Sequence, residues 1–195
     1  LTALACLVLW VCTAMIYASI RFLQEWASPY TLVNYTLLGL ASGFTLATGL
    51  AAAGAPDLVP AWGALALLFT LCGGISRSMS LRRNARLKPR STVQSAIGVR
   101  HPVVRQRSMG FMGGSFNTRE FFHGRSPGAL RQVKWLFLLG AFVLPIALLV
   151  LGLVLGSTVP LVLAFVVQYL GLLAERWYFF AQANHPQNVY YQAVS

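Results

Sequence analysis

Charge is scarce in this sequence. Charged residues make up 10% of the chain and hydrophobic residues 57%, where a soluble domain carries about a quarter charged residues. That balance excludes an ordinary soluble domain, and a bilayer supplies the apolar solvent such a chain needs. Cysteine is sparse too. Cys6, Cys12 and Cys72 fall within apolar stretches, and none forms a CxxC or is placed to hold a cluster or a zinc ion. They read as small buried hydrophobes, with no disulfide framework to infer. The three histidines, His101, His123 and His185, all lie outside the apolar stretches. A haem b in a helix bundle needs two axial histidines at membrane depth, so no haem is expected. The run Gly110 to Phe116 is not followed by Gly-Lys-Ser/Thr, which excludes a P-loop. No segment alternates apolar and polar residues as an outer-membrane strand would. There is no hydrolytic triad, so no catalytic residue and no metal ligand is expected on this chain.

What is present is a set of long apolar runs. A helix rises 1.5 Å per residue, so about 20 residues cross a hydrocarbon core about 30 Å thick. Five segments qualify, near 1–20, 30–54, 58–76, 135–156 and 159–183. The expected fold is an all-α, polytopic transmembrane helix bundle. Three helices occupy 1–76, a long basic loop 77–133, two more helices 134–183, and a tail 184–195. Gly39-x-x-x-Gly43 and Gly152-x-x-x-Gly156 are close-packing signals, and Pro145 should kink the fourth span. The chain starts inside an apolar run, with no charged leader region or small-residue cleavage site. It therefore reads as the tail of a longer protein and not as a signal peptide.

The charges that do exist are concentrated. Of the 19 charged residues, 14 lie between Arg77 and Lys134, and Glu120 is the one acid among them. A net charge of +11 can mean nucleic acid. Here the basic residues abut apolar spans, so the positive-inside rule accounts for them and no nucleic-acid partner is expected. Placing the loop on the cytoplasmic face puts Arg21, Glu25, Glu175, Arg176 and the C-terminal tail on the same face. Asp57 alone is left on the other. A loop of 57 residues is too long for a plain linker in a compact bundle, so it is expected to be functional or to dock a partner. Arg77, Arg82, Arg83, Arg86, Arg105, Arg107, Arg119 and His123 are the candidate docking residues.

Two clusters at the helix ends are candidates for chemistry. Arg21 and Glu25 are four apart and would share one helical side, flanked by Tyr17 and Trp26. Glu175 and Arg176 interrupt the last span and precede Trp177 and Tyr178. Ionisable groups at that depth are costly and are functional candidates. The competing reading places them at the interface, within an aromatic belt. His185 lies in a polar NHPQN segment after the last span. It is either a proton-accessible group near the site or a tail residue.

Two stretches carry a family resemblance. CTAMIYASIRFLQEWASPYTLVNYTLLGLASGFTLATGL (12–50) resembles the central region of the DmsC-type membrane anchors of molybdopterin oxidoreductases. LLAERWYFFAQANHPQNVYYQ (172–192) resembles the end of that family's last helix. The loop sequences ARLKPRSTVQSAIGVRHPVVRQ and GFMGGSFNTREFFHG resemble the subgroup found with cytoplasmic sulfite:quinone oxidoreductases (SoeC-like). The resemblance implies an eight-helix anchor in the bacterial inner membrane, of which this chain would hold helices four to eight. It implies a ferredoxin-like iron–sulfur subunit docked on the anchor, and beyond it a molybdenum bis-pyranopterin protein that performs the catalysis. It also implies a quinone, ubiquinone or menaquinone, exchanging electrons at the anchor. It further implies that the family's quinol-site histidine and acid lie in early helices expected to precede this stretch, so neither role is carried over to a residue of this chain.

The residues fit that expectation. A quinone site needs an apolar path for the tail and proton-exchanging groups at the ring. Tyr17, Arg21, Glu25, Trp26, Glu175, Arg176, Tyr178 and His185 are the candidates. Glu175→Gln is expected to slow quinone turnover and leave assembly intact. Two other classes stay open. A transporter would show inverted repeats and broken helices at the midplane. A purely structural anchor would use the basic loop to hold a partner or anionic membrane lipid.

Overall fold

The architecture comes from a computed structural model, which describes residues 1–88, 92–105 and 127–184. Arg107, Arg119, His123 and His185, and the run Gly110 to Phe116, lie outside the described residues.

The described residues form helices α1 (Thr2–Ala18), α2 (Pro29–Gly54), α3 (Val59–Asn84), α4 (Val93–Ile97), α5 (Pro127–Leu138), α6 (Leu144–Leu155) and α7 (Thr158–Ala181). A π-turn, Leu139–Val143, joins α5 and α6 into one span. Four stretches are long and apolar enough to cross a bilayer: Pro29–Gly54, Pro56–Asn84, Gly128–Leu155 and Thr158–Ala181. The protein is a polytopic helical membrane protein. At 26 residues α2 is about 39 Å long, more than the core requires. The first span is shorter than the sequence suggests, with 17 residues in α1.

Local chemistry sets the ends. Pro29 opens α2 and Pro60 lies in the first turn of α3, where a missing N–H costs no helical bond. Gly156 closes α6 in the left-handed region, at φ 60°. Pro145 cannot bond back to residue 141, and the chain accommodates it with the π-turn just before it. The small loop helix α4 is fastened by a capping box between Thr92 and Ser95.

Many small and polar residues lie inside the bundle, and most large aliphatic residues lie outside. Thr45, Thr48, Thr70, Ala66 and Ala164 are fully buried, while Leu50, Leu71, Ile75, Val154 and Leu170 are exposed. This suits a lipid solvent, in which close backbone approach replaces hydrophobic collapse. Several buried threonine hydroxyls are satisfied within their own helix. Thr45, Thr48 and Thr70 each donate to the carbonyl four residues back, at 2.7–2.8 Å. Helices α2 and α3 form the main pair, and α7 packs against α2, α5 and α6. Gln168 on α7 donates to Thr70 on α3 at 3.1 Å, a polar tie in the buried centre.

Several expectations change. Helix α3 runs to Asn84, eight residues beyond Ser76, so the loop starts later than the apolar run implies. Hydropathy ends at Arg77, but the backbone does not. Cys6 and Cys12 are exposed on α1 and Cys72 is half-buried. Gly39 receives the Trp10 ring and Gly152 lies against Leu161, whereas a Cβ at Gly43 would meet open space and Gly156 serves as the turn.

Candidate functional site

The loop-side half of the bundle holds a buried ion pair. Arg77 comes from the last turns of α3 and Glu175 from the last turns of α7. Arg77 Nε lies 2.7 Å from Glu175 Oε1, and the side chains are 2% and 8% exposed. The contact is an ion pair without an aligned Nε hydrogen bond, and Arg77 Nη2 has no hydrogen-bond partner. Arg77 Nη1 reaches Ser80 Oγ at 3.5 Å, and the guanidinium lies 5.6 Å from the Phe137 ring centroid. This position contradicts a docking role for Arg77. Removing both charges from water is tolerable only because each offsets the other.

The next residue of α7 is held differently. The Arg176 guanidinium lies over Tyr35, Phe179, Tyr17 and Phe180, at 5.1, 5.2, 5.5 and 6.0 Å from their centroids. Trp26 stacks on Phe179 at 5.2 Å and meets Tyr17 edge-on at 5.5 Å. Its indole N–H donates to the Phe179 carbonyl at 3.0 Å. Cation–π contacts of this kind strengthen as water is excluded.

The α1–α2 connection, 19–28, is built of turns and is not helical. Arg21 and Glu25 therefore do not share a helical side. Arg21 is exposed, while Glu25 is buried at 8% exposure with Oε2 unpartnered. The connection is clamped from α3: both Nη groups of Arg83 donate to the Gln24 carbonyl at 3.1 Å. Arg83 is thus partly a structural tie. Arg82, Arg86 and Arg105 are exposed.

These elements enclose a half-open cavity of about 210 Å³. Its polar wall is Glu25, Thr31, Asn34, Arg77, Ser80, Glu175 and Arg176, and its apolar wall is Trp10, Leu38, Gly39, Leu172 and Phe179. Asn34 is fixed by Ser76, which donates to Asn34 Oδ1 at 2.7 Å. Of the sequence candidates, Glu25, Glu175 and Arg176 line this cavity; Tyr17 and Trp26 back its aromatic side; Arg21 is outside it. Tyr178 lines a second cavity of about 230 Å³ at the loop-side ends of α3, α5 and α7.

Comparison with known proteins places the chain in a family. A model described as DMSO reductase anchor subunit (DmsC) matches residues 1–180. The chain belongs to this anchor family. It is also 53% identical over 195 residues to a sulfite dehydrogenase subunit of Allochromatium vinosum (strain ATCC 17899 / DSM 180 / NBRC 103801 / NCIMB 10441 / D). The match covers all of this chain and 60% of that protein's length. No solved structure matches the chain.

Within the anchor, the sequence reading missed Thr31, Asn34, Tyr35 and Ser42, which line the cavity from α2. Their spacing of three, four and seven places them on one helical stripe. A polar stripe in an otherwise apolar span was the available signal. Among the described residues no group of three or more His, Cys, Asp or Glu side chains could hold a metal ion. The cavity instead offers a free guanidinium N–H and a free carboxyl oxygen, a donor and an acceptor for a polar ring.

Proposed function

We propose that this chain is the quinone-reactive anchor of a molybdenum/iron–sulfur oxidoreductase complex, with the Arg77–Glu175 cavity as the quinone head-group site. The observation that carries the reading is the pairing of two orphaned groups on one cavity wall. Arg77 Nη2 can donate to a ring carbonyl, and Glu25 Oε2 can accept from a ring hydroxyl. Trp10, Leu38 and Leu172 give the apolar surface for the ring edge and the start of the tail. A bound quinone supplies two-electron, two-proton redox chemistry. The chain's own residues bind and orient it, exclude water and exchange protons.

The basic end of the bundle is the docking platform for an iron–sulfur subunit, through Arg82, Arg86 and Arg105 and the loop that follows. A molybdopterin catalytic subunit stands beyond it. The positive-inside rule supports a cytoplasmic loop in a bacterial inner membrane. The similarity to a sulfite dehydrogenase subunit supports sulfite as the electron source.

The test is to purify the complex in mild detergent, measure iron and molybdenum, and titrate a short-tailed quinone against tryptophan fluorescence. Stoichiometric metal with saturable quenching, lost in Arg77→Met, is the expected result. A chain that purifies without metal and shows no saturable quenching overturns the reading.

A further inference from the structure

Two cavities meet at one side chain. Glu25 borders the cavity of about 210 Å³ that holds Arg77 and Glu175. It also borders the cavity of about 230 Å³ at the loop-side ends of the helices. The second cavity is polar. Asn84, Lys134, Tyr178, Gln182 and Asn184 contribute to its lining, and Asn84 Nδ2 and Gln182 Nε2 are buried without hydrogen-bond partners. Orphaned donors of this kind are normally satisfied by water. Glu25 is 8% exposed and its Oε2 has no partner either. A buried carboxyl left unpaired between two cavities has no structural reason to be there, because an amide or an apolar side chain would cost less.

We propose that Glu25 is the proton relay between the quinone cavity and water on the loop side. The proposal rests on the quinone reading above. Reduction of a quinone takes two electrons and two protons, and oxidation of the quinol releases the same. The electrons come from, or leave to, a docked one-electron carrier such as an iron–sulfur centre. For each proton, the Glu25 carboxylate takes one from water in the loop-side cavity and passes it to the ring oxygen, then returns to its charged form. The reverse order serves oxidation. The backbone of the 19–28 connection supports this, because Arg83 holds the Gln24 carbonyl and so fixes the residue before Glu25. The titratable and charged groups lining the same two cavities are Arg77, Glu175, Arg176, Tyr178, Tyr35 and Lys134. Arg77 and Glu175 are already paired, and Arg176 is held among aromatic rings, which leaves Glu25 as the uncommitted carboxyl.

The experiment uses the whole purified complex and reads quinone binding and quinone turnover separately. Glu25→Gln keeps an oxygen that can accept from a ring hydroxyl but cannot carry a proton. It is therefore expected to retain saturable binding of a short-tailed quinone, weakened at most severalfold, and to turn over about 100-fold more slowly. Glu25→Ala should be rescued by formate in the buffer, a result that a structural role would not produce. Gln182→Leu, which dries the loop-side cavity, should slow turnover without changing binding, and it serves if the Glu25 variants fail to assemble. Normal turnover in Glu25→Gln, absence of formate rescue, or normal turnover in Gln182→Leu overturns the relay. Absence of saturable quinone binding in the parent complex overturns the quinone site itself, which is a distinguishable failure.

Discussion

The same helices build two different interiors. In the half away from the loop, α3, α6 and α7 meet through Ala66, Leu149, Leu161 and Ala164, with Gly63 and Gly152 making room for Leu153 and Leu161. In the loop-side half, α2, α3 and α7 enclose Glu25, Asn34, Arg77 and Glu175. The first interior is sufficient to hold a helix bundle in lipid. The second is more expensive than that task needs, since each buried ion costs several kcal/mol, roughly, before its partner offsets it. On the proposed quinone reading, the difference separates assembly from chemistry. The far half fixes the helices, and the loop-side half uses that frame to keep charges where lipid and packing would otherwise exclude them.

The most severe break comes where the halves meet. Gly171 on α7 lies directly against the π-turn, and a Cβ there would overlap the Gly140 carbonyl carbon and the Ala141 nitrogen. Backbone cannot move aside as a flexible side chain can. Gly171→Leu is expected to abolish the folded bundle, read as loss of the monodisperse peak in detergent. Normal assembly of this variant would mean that close packing at the frame is not what positions the charged half.

The ion pair gives the next largest effect. Arg77→Leu strands Glu175, and such a break costs about 3–5 kcal/mol. The double variant Arg77→Leu with Glu175→Leu should recover most of that stability while remaining unable to turn over quinone. Denaturation midpoints and turnover of the two variants decide the matter. Equal stability of single and double variants would show that the pair is not coupled. The same geometry revises the expectation for Glu175→Gln. With Arg77 left unpaired at 2% exposure, assembly should weaken along with turnover.

The sequence made the frame legible and hid the pairings. Long apolar runs and the one-sided charge predict the bundle, because lipid imposes length and hydropathy on every span. Glu175 and Arg176 stand out as ionisable groups inside a span. Arg77 does not, because a hydropathy reading stops at the first arginine, while α3 continues to Asn84 and carries Arg77 into the interior. Spacing assigns Glu25 the wrong neighbour for a related reason. A separation of four pairs residues only in a helix, and 19–28 is a series of turns. The π-turn before Pro145 was not legible, since the proline says that the ladder breaks but not how the chain repairs it.

A far-half variant should separate stability from activity. Leu149 is fully buried among Ala66, Leu161 and Ala164. Leu149→Ala leaves a cavity and is expected to cost about 2–3 kcal/mol. Quinone turnover per assembled complex should stay at the parent level. A parallel fall in turnover would show that the two halves are not separable, and the contrast between them would fail.

The smallest effect tests how the turn carrying Glu25 is attached. Phe179 lies in the last turn of α7, where carbonyls run out of intrahelical donors. The Ala183 N–H, which would serve Phe179 in a longer helix, goes to the Phe180 carbonyl at 3.3 Å instead. The Trp26 indole fills the vacancy from the α1–α2 connection, at 3.0 Å, and stacks on the Phe179 ring. Trp26→Phe keeps a stacking ring and removes the donor. The expected loss is about 1 kcal/mol, the net value of one such hydrogen bond. Because Trp26 is the neighbour of Glu25, turnover should fall further than that stability loss alone would cause, whereas Leu149→Ala, with the larger stability loss, should leave turnover alone. Measuring both variants for denaturation midpoint and turnover tests the ordering. If Trp26→Phe loses stability without losing turnover, Glu25 does not depend on this attachment for its position.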